Sequence, residues 1–271
     1  MKCFLISMLH FTIIAYCIHT CKAQNTHQFV DARAYSMGNT ISVLPGFTNP
    51  AGYGFESSRH IALQYVNRYG IKELSTYAGM VNLPNKYLDT GLYVSRYGFD
   101  KYNETMVSMN FYKKLSGYIS LGIRINYLNI HYSGRDSNKS LLTGDIGLLT
   151  RPVKNCTFSI LAINPLQTSF KVGVEELEIP SLLIVGVSYQ PVDNFLLTAE
   201  IEKDFAYPVV YKTGLEYSPI HQLSVRAGMS GKPFTPSFGI GIHISSFTVD
   251  LGFSRHPVLG FCSCCGLQFN F

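Results

Sequence analysis

The sequence predicts an all-β chain: a single transmembrane antiparallel β-barrel of about 14 strands, with an N-terminal hatch in its lumen. Three observations lead there. Apolar and polar residues alternate, run after run, from about Phe55 to Phe271. A leader-like segment opens the chain, and an aromatic strand closes it. The alternation decides the class, because successive side chains of a pleated strand leave opposite faces, whereas a helix repeats every 3.6 residues.

Residues 1–23 read as a signal peptide. Lys2 is followed by an apolar stretch from Phe4 to about Ile18, and Cys21 and Ala23 are the small residues at −3 and −1 of a cut before Gln24. Thr20 and Ile18 fit poorly around Cys21 as a lipid attachment site. No later run approaches the roughly 18 apolar residues of a membrane helix. Residues 24–54 do not alternate and carry Gly, Pro and Asn at irregular spacing. A barrel of about 14 strands is wider than the eight-stranded kind that side chains alone fill. Residues 24–54 are therefore expected to fold upward as a hatch, the alternative being a periplasmic tail.

Residues 55–271 then form the barrel. Strands are predicted at 55–67, 71–81, 88–97, 103–113, 117–131, 139–150, 154–163, 180–190, 194–203, 208–218, 221–230, 234–244, 246–255 and 259–271. In the fifth, Ile119, Leu121, Ile123, Ile125 and Tyr127 share one face, and Ser120, Gly122, Arg124 and Asn126 the other. Tight connections at Leu115-Ser116, Pro152-Val153, Pro191-Val192, Pro219-Ile220 and Ser245-Ser246 alternate with longer ones, the largest being 164–179. Short turns on one rim and longer loops on the other suit an outer-membrane barrel with both termini periplasmic. Tyr65, Tyr69, Tyr97, Tyr112, Tyr189 and Tyr217, near strand ends, are expected in an interfacial girdle. The last strand alternates Leu267, Phe269 and Phe271 against Gly266, Gln268 and Asn270, a suitable closing strand. A secreted β-sandwich also alternates, but has no reason to keep the loop rhythm.

Charge narrows the function. The whole chain carries +5, and loss of Lys2 and Lys22 leaves about +3, too mild to argue for nucleic acid. The ionisable residues that matter fall on the polar face of the strands: Arg124, Asp145, Glu200, Glu202, Lys212, Glu216, Arg226 and Asp250. Toward lipid an Arg or Lys would cost about 2–4 kcal/mol near the midplane, and an Asp or Glu less. In the lumen they can pair across strands and hold the hatch, or line a solute path. Cys156, Cys262, Cys264 and Cys265 are read as small packing residues, with a Cys262–Cys264 disulfide or a metal pair as alternatives; no metal or cofactor site is assigned. His27, His60, His131, His221, His243 and His256 show no spacing with Ser and Asp that points to a catalytic trio, so no catalytic residue is assigned.

The stretch Asp31-Ala-Arg33-Ala-Tyr35-Ser-Met37-Gly38-Asn39, with Thr48-Asn49-Pro50-Ala51-Gly52 some ten residues on, resembles the start of the FadL/PorV-like outer-membrane barrels. The resemblance implies a hatch with an Asn-Pro-Ala turn ahead of fourteen strands, and marks Arg33, Met37, Gly38, Asn49, Pro50 and Ala51 as the hatch motif. It also implies two jobs. FadL-type members pass hydrophobic molecules through a lateral opening in the wall; PorV-type members serve type IX secretion by binding cargo or translocon subunits. The expectation drawn from it is a non-enzymatic barrel of the bacterial outer membrane, passing small hydrophobic molecules. Its partners would be lipid and a hydrophobic ligand, or secretion-system subunits in the second reading. The small outer loops speak against a large capture groove or docking surface.

Overall fold

A computed structural model describes residues 29–271 apart from 57, 134–137, 173 and 174. The predicted leader 1–23, with Cys21, and residues 24–28 lie outside the described residues, as does Gly173 in the predicted outer loop. The chain opens with a short helix, α1 (Ala32–Ser36). It continues through β1 (His60–Asn67), β2 (Thr76–Leu83), β3 (Asp89–Phe99), β4 (Tyr102–Ser116), β5 (Ile119–Tyr132), β6 (Asn138–Val153) and β7 (Cys156–Ile163). A small hairpin follows, β8 (Ser169–Val172) and β9 (Glu175–Glu178). The chain ends with β10 (Leu182–Val192), β11 (Phe195–Asp204), β12 (Val210–Ile220), β13 (Leu223–Ser230), β14 (Thr235–Ile244), β15 (Phe247–His256) and β16 (Gly260–Asn270).

Fourteen of these strands, all but β8 and β9, close into one antiparallel barrel in sequential order, with β16 returning to pair β1. Each predicted strand corresponds to one barrel strand. Closure gives every barrel strand a barrel neighbour on both sides, a requirement wherever water is absent. The apolar face points out: Ile119, Leu121, Ile123, Ile125 and Tyr127 are exposed, while Ser120, Arg124 and Asn126 are buried in the interior.

The differences from the sequence reading have identifiable causes. The first strand begins at His60 rather than at 55, because residues 49–56 continue as successive turns, with Gly52 N–H donating to Asn49 O, Gly54 to Ala51 and Glu56 to Tyr53. Likewise β2 begins at Thr76, after a 3₁₀ turn over Lys72–Leu74. Four tight turns fall about two residues later than predicted, at Gly117-Tyr118, Lys154-Asn155, Asp193-Asn194 and His221-Gln222. Pro152, Pro191 and Pro219 lie inside register shifts between Thr150 and Val153, Tyr189 and Val192, and Tyr217 and Ile220. A bulge spares proline the ladder N–H it cannot donate, so the prolines end regular pairing without making the turn. Tyr112 leaves the girdle altogether: it is buried inside and donates its hydroxyl proton to Asn82 Oδ1 at 2.7 Å. Tyr189 and Tyr217 do face outward. The connection 164–179, predicted as a loop, contains β8 and β9.

The closing pair supplies a direct check. Phe269 lies opposite Ile61 of β1 and Phe247 of β15, and its ring sits 4.8 Å from that of Phe247. Deleting Phe269–Phe271 should abolish assembly, and Phe271→Asp should reduce it, read as loss of heat-modifiable migration and rapid degradation. Normal migration of the deletion would show that β16 closes the barrel without its end.

Candidate functional site

The interior is occupied by the chain's own N-terminus. Residues 29–56 run within the wall, and their side chains pack on inward-facing strand residues. Asp31 starts α1 by accepting the Ala34 N–H at 3.1 Å, a standard N-cap arrangement. Burial raises the Asp31 carboxyl above the usual carboxylate range, and that Ala34 N–H pulls it partly back. Beyond the helix Gly38 and Asn39 both take positive φ, 70° and 59°, turning the chain across the lumen. The helix packs against β13, β14, β15 and β16.

Two carboxylates grip this segment. Glu216 on β12 takes a bidentate pair from Arg33, at 2.9 Å from Nε and 2.7 Å from Nη2. Glu216 also accepts from Arg226, which reaches on to Asp250, so Arg33 joins a four-member network spanning β12, β13 and β15. Glu200 on β11 receives the backbone N–H groups of Ile41, Ser42 and Val43 at 3.0, 2.6 and 3.2 Å, and the Ser42 hydroxyl at 2.7 Å. Those amides have no strand partner, so the carboxylate satisfies donors that would otherwise be buried unpaired. Lys212 and Glu202 pair with each other at 2.6 Å beside it.

A third clamp lies across the barrel. Arg124 and Asp145, opposite each other on β5 and β6, form a fully buried pair at 2.7 Å. Arg124 also donates to the Phe47 carbonyl, and its guanidinium lies over the Phe29 ring at 3.5 Å. Asp145 further accepts from Asn126 Nδ2 at 2.8 Å and from the Asn164 N–H at 3.0 Å. The Asn49-Pro50-Ala51 turn is closed by Asn49 itself, whose Oδ1 accepts the Ala51 N–H at 2.9 Å while its Nδ2 donates to Ser42 O at 2.6 Å. Asn110 donates to the Pro50 carbonyl at 3.0 Å. Met37 is fully buried with Ile41, Leu44, Leu161 and Ile184.

The structure thus places the lumen charges singled out from sequence in three separate clusters rather than one. It adds residues that the sequence reading passed over. Tyr93 Oη accepts the Val30 N–H, and Gln64 Oε1 accepts that of Ala32. More telling is a set of inward glycines that seats the segment. A Cβ on Gly147 would stand 2.0 Å from Asn49 Oδ1, and one on Gly122 2.3 Å from the Pro50 carbonyl carbon. On the far wall a Cβ on Gly228 would stand 2.2 Å from Gly38 N, and one on Gly214 2.5 Å from the Met37 carbonyl oxygen. The available signal was glycine at polar-face positions of strands that are otherwise regular.

The four cysteines among the described residues are free. Cys264 packs with Val30, Ala32 and Val66, Cys262 is buried near it, and Cys265 faces outward. Beside Phe29 and Ile41 lies a narrow, mostly apolar cleft of about 40 Å³, walled by Met106, Leu128, Ile163 and Leu182, with Asp145 and Glu202 also in its lining. It lies where the β6–β7 pairing ends: that pairing runs only as far as Asp145 and Ile163, although β6 continues to Asn138 along β5.

No family model matches the chain, and no curated protein sequence matches it. Solved structures do. The chain is similar to the toluene transporter TodX of Pseudomonas putida, at 13% identity over 90% of this chain and 97% of that one, with a TM-score of 0.63. It is similar to CymD, described as a monoaromatic hydrocarbon channel, at 11% identity over 92% and 99%, with a TM-score of 0.68. A FadL homologue of Pseudomonas aeruginosa aligns at 12% identity over 92% and 98%, with a TM-score of 0.61. The fold is FadL-like. Within this FadL-like barrel the N-terminal segment, its glycine seats and the cleft beside it are the features to which a function can be attached.

Proposed function

We propose that this chain is a non-enzymatic barrel of the bacterial outer membrane, through which small hydrophobic molecules pass, with residues 29–56 as the plug of its lumen. The observation that carries the reading is the threaded segment: it crosses the interior, is held by Glu200, Glu216 and Arg124, and leaves an apolar cleft at one side. The exposed apolar outer wall supports a lipid environment, since its outward-facing charges Arg96, Lys203 and Arg255 stand near strand ends. The names of the structural neighbours, two of them hydrocarbon channels, support the choice of cargo. The end of β6–β7 pairing at Asp145 and Ile163 supplies the route from cleft to wall, so that an apolar solute leaves sideways into lipid rather than through water.

The test is uptake of labelled toluene by Gram-negative cells, whose lipopolysaccharide leaflet slows apolar solutes. Cells making the full chain should accumulate it severalfold faster than cells making an unrelated barrel, with no change for glucose. Equal toluene uptake in the two strains would overturn the cargo assignment.

A further inference from the structure

Across the lumen from the apolar cleft lies a second, larger cavity of about 210 Å³ that the passage of hydrocarbons does not use. It sits at the rim opposite the tight turns, and the plug residues Tyr35, Gly38 and Asn39 contribute to its lining. Its walls come from the tops of β1, β13, β14, β15 and β16, and include Arg68, Tyr69 and His256. Among the described residues that line it there is no aspartate or glutamate.

The donors are placed with some care. Arg68 is anchored through one nitrogen: Nη1 donates to Thr76 Oγ1 at 2.7 Å, and the guanidinium lies 5.3 Å from the Tyr97 ring centroid. Its Nε and Nη2 have no acceptor, and it has no carboxylate partner, among the described residues. His256 Nδ1 accepts the backbone N–H groups of Val258 and Leu259 at 3.2 and 3.1 Å, which puts the ring proton on Nε2 and makes that nitrogen a donor. The Tyr69 ring meets the His256 ring edge-on at 6.0 Å, and the Ser254 hydroxyl holds Tyr35 Oη at 2.8 Å. The cavity therefore combines an uncompensated cation, a neutral N–H donor and aromatic walls.

We infer that this vestibule is a binding site for a small organic carboxylate with a flat apolar body. The carboxylate meets Arg68, a planar fork that matches two oxygens, with His256 Nε2–H as a further donor, and the body lies against Tyr69 and Tyr35. A single guanidinium beside a neutral imidazole suits a monoanion better than a phosphate dianion. The site is separate from the hydrocarbon cleft in lining residues and in chemistry.

Benzoate is a suitable probe, titrated by calorimetry into the full-length chain in detergent micelles, with benzamide as its uncharged counterpart. Saturable benzoate binding is expected, with benzamide at least tenfold weaker. Arg68→Gln should weaken benzoate at least tenfold while leaving benzamide unchanged, and Arg68→Lys should retain part of the difference. Lys86→Gln, on the opposite rim, should change nothing. Heat-modifiable migration confirms that each variant is folded, and the benzoate–benzamide comparison needs no variant at all. Absence of saturable benzoate binding, equal binding of benzamide, or benzoate binding undiminished in folded Arg68→Gln would each overturn the proposal. Because the measurement is of equilibrium binding and not flux, its failure leaves the passage of hydrocarbons standing, and the reverse also holds.

Discussion

Deleting residues 29–52 while keeping residues 1–28 should leave a folded barrel whose single-channel conductance in planar bilayers is higher by about tenfold or more, since a 14-stranded wall encloses more space than side chains fill. The wall itself is complete without the segment: every barrel strand is paired on both sides by another barrel strand, and none of the ladder bonds comes from residues 29–56. Glu200, Glu216 and Arg124 would lose their partners from the segment but gain water. A gentler version keeps the chain whole. Gly228→Val drives side-chain atoms toward Gly38 N, which a Cβ at that position would approach to 2.2 Å. No side-chain rotation relieves the clash, because the obstacle is backbone. The substitution should raise conductance in the same direction while migration on gels stays heat-modifiable. If both variants conduct no better than the full chain, residues 29–56 do not obstruct the lumen, and an accessory role in secretion moves ahead of transport.

Arg124→Ala should be the most destabilising single substitution in the interior, at about 3–5 kcal/mol, because it strands a buried carboxylate. Asp145 would keep Asn126 and the Asn164 N–H but lose its cation, and the Phe47 carbonyl would lose its donor. The Phe29 ring, now 3.5 Å from the guanidinium, would face an empty space. Asp145→Asn removes the charge and keeps the shape, and leaves Arg124 over an aromatic ring, so a smaller loss is expected. Urea midpoints followed by heat-modifiable migration check both. A midpoint for Arg124→Ala within error of the parent would show that water reaches the pair and that the region is not sealed.

The contrast between these two experiments reflects how differently wall and contents are encoded. The wall is written locally. Ile119 to Tyr127 announce a strand and its outward face by period alone, and closure follows because an open edge in lipid leaves backbone groups unsatisfied. That logic located every barrel strand, and it placed Arg124, Glu200, Glu216 and Asp250 on the inner side. It went astray by a residue or two where Pro152, Pro191 and Pro219 mimic turns but occupy bulges, and at Tyr112, whose position near a strand end suggested the girdle although its parity points inward.

The contents are written non-locally. Arg33 and Glu216 are 183 positions apart, and nothing in either neighbourhood says that this carboxylate, rather than Glu200 or Asp145, receives the guanidinium. The choice depends on strand tilt and stagger, which set the height of each inward residue, and on where Gly38 and Asn39 turn the segment across the lumen. The glycine seats are the same case: Gly122 and Gly228 are visible in the sequence as polar-face positions, but only the threaded backbone shows that a methyl group there has no room. The vestibule is assembled from Arg68, Tyr35 and His256, far apart in the chain and joined only by closure. By itself, then, the sequence determined that this chain makes a barrel and which side chains face in, because both follow from a two-residue period and from the cost of unpaired backbone. Only the tertiary structure decided which inward groups meet, because that is a matter of register around a closed ring.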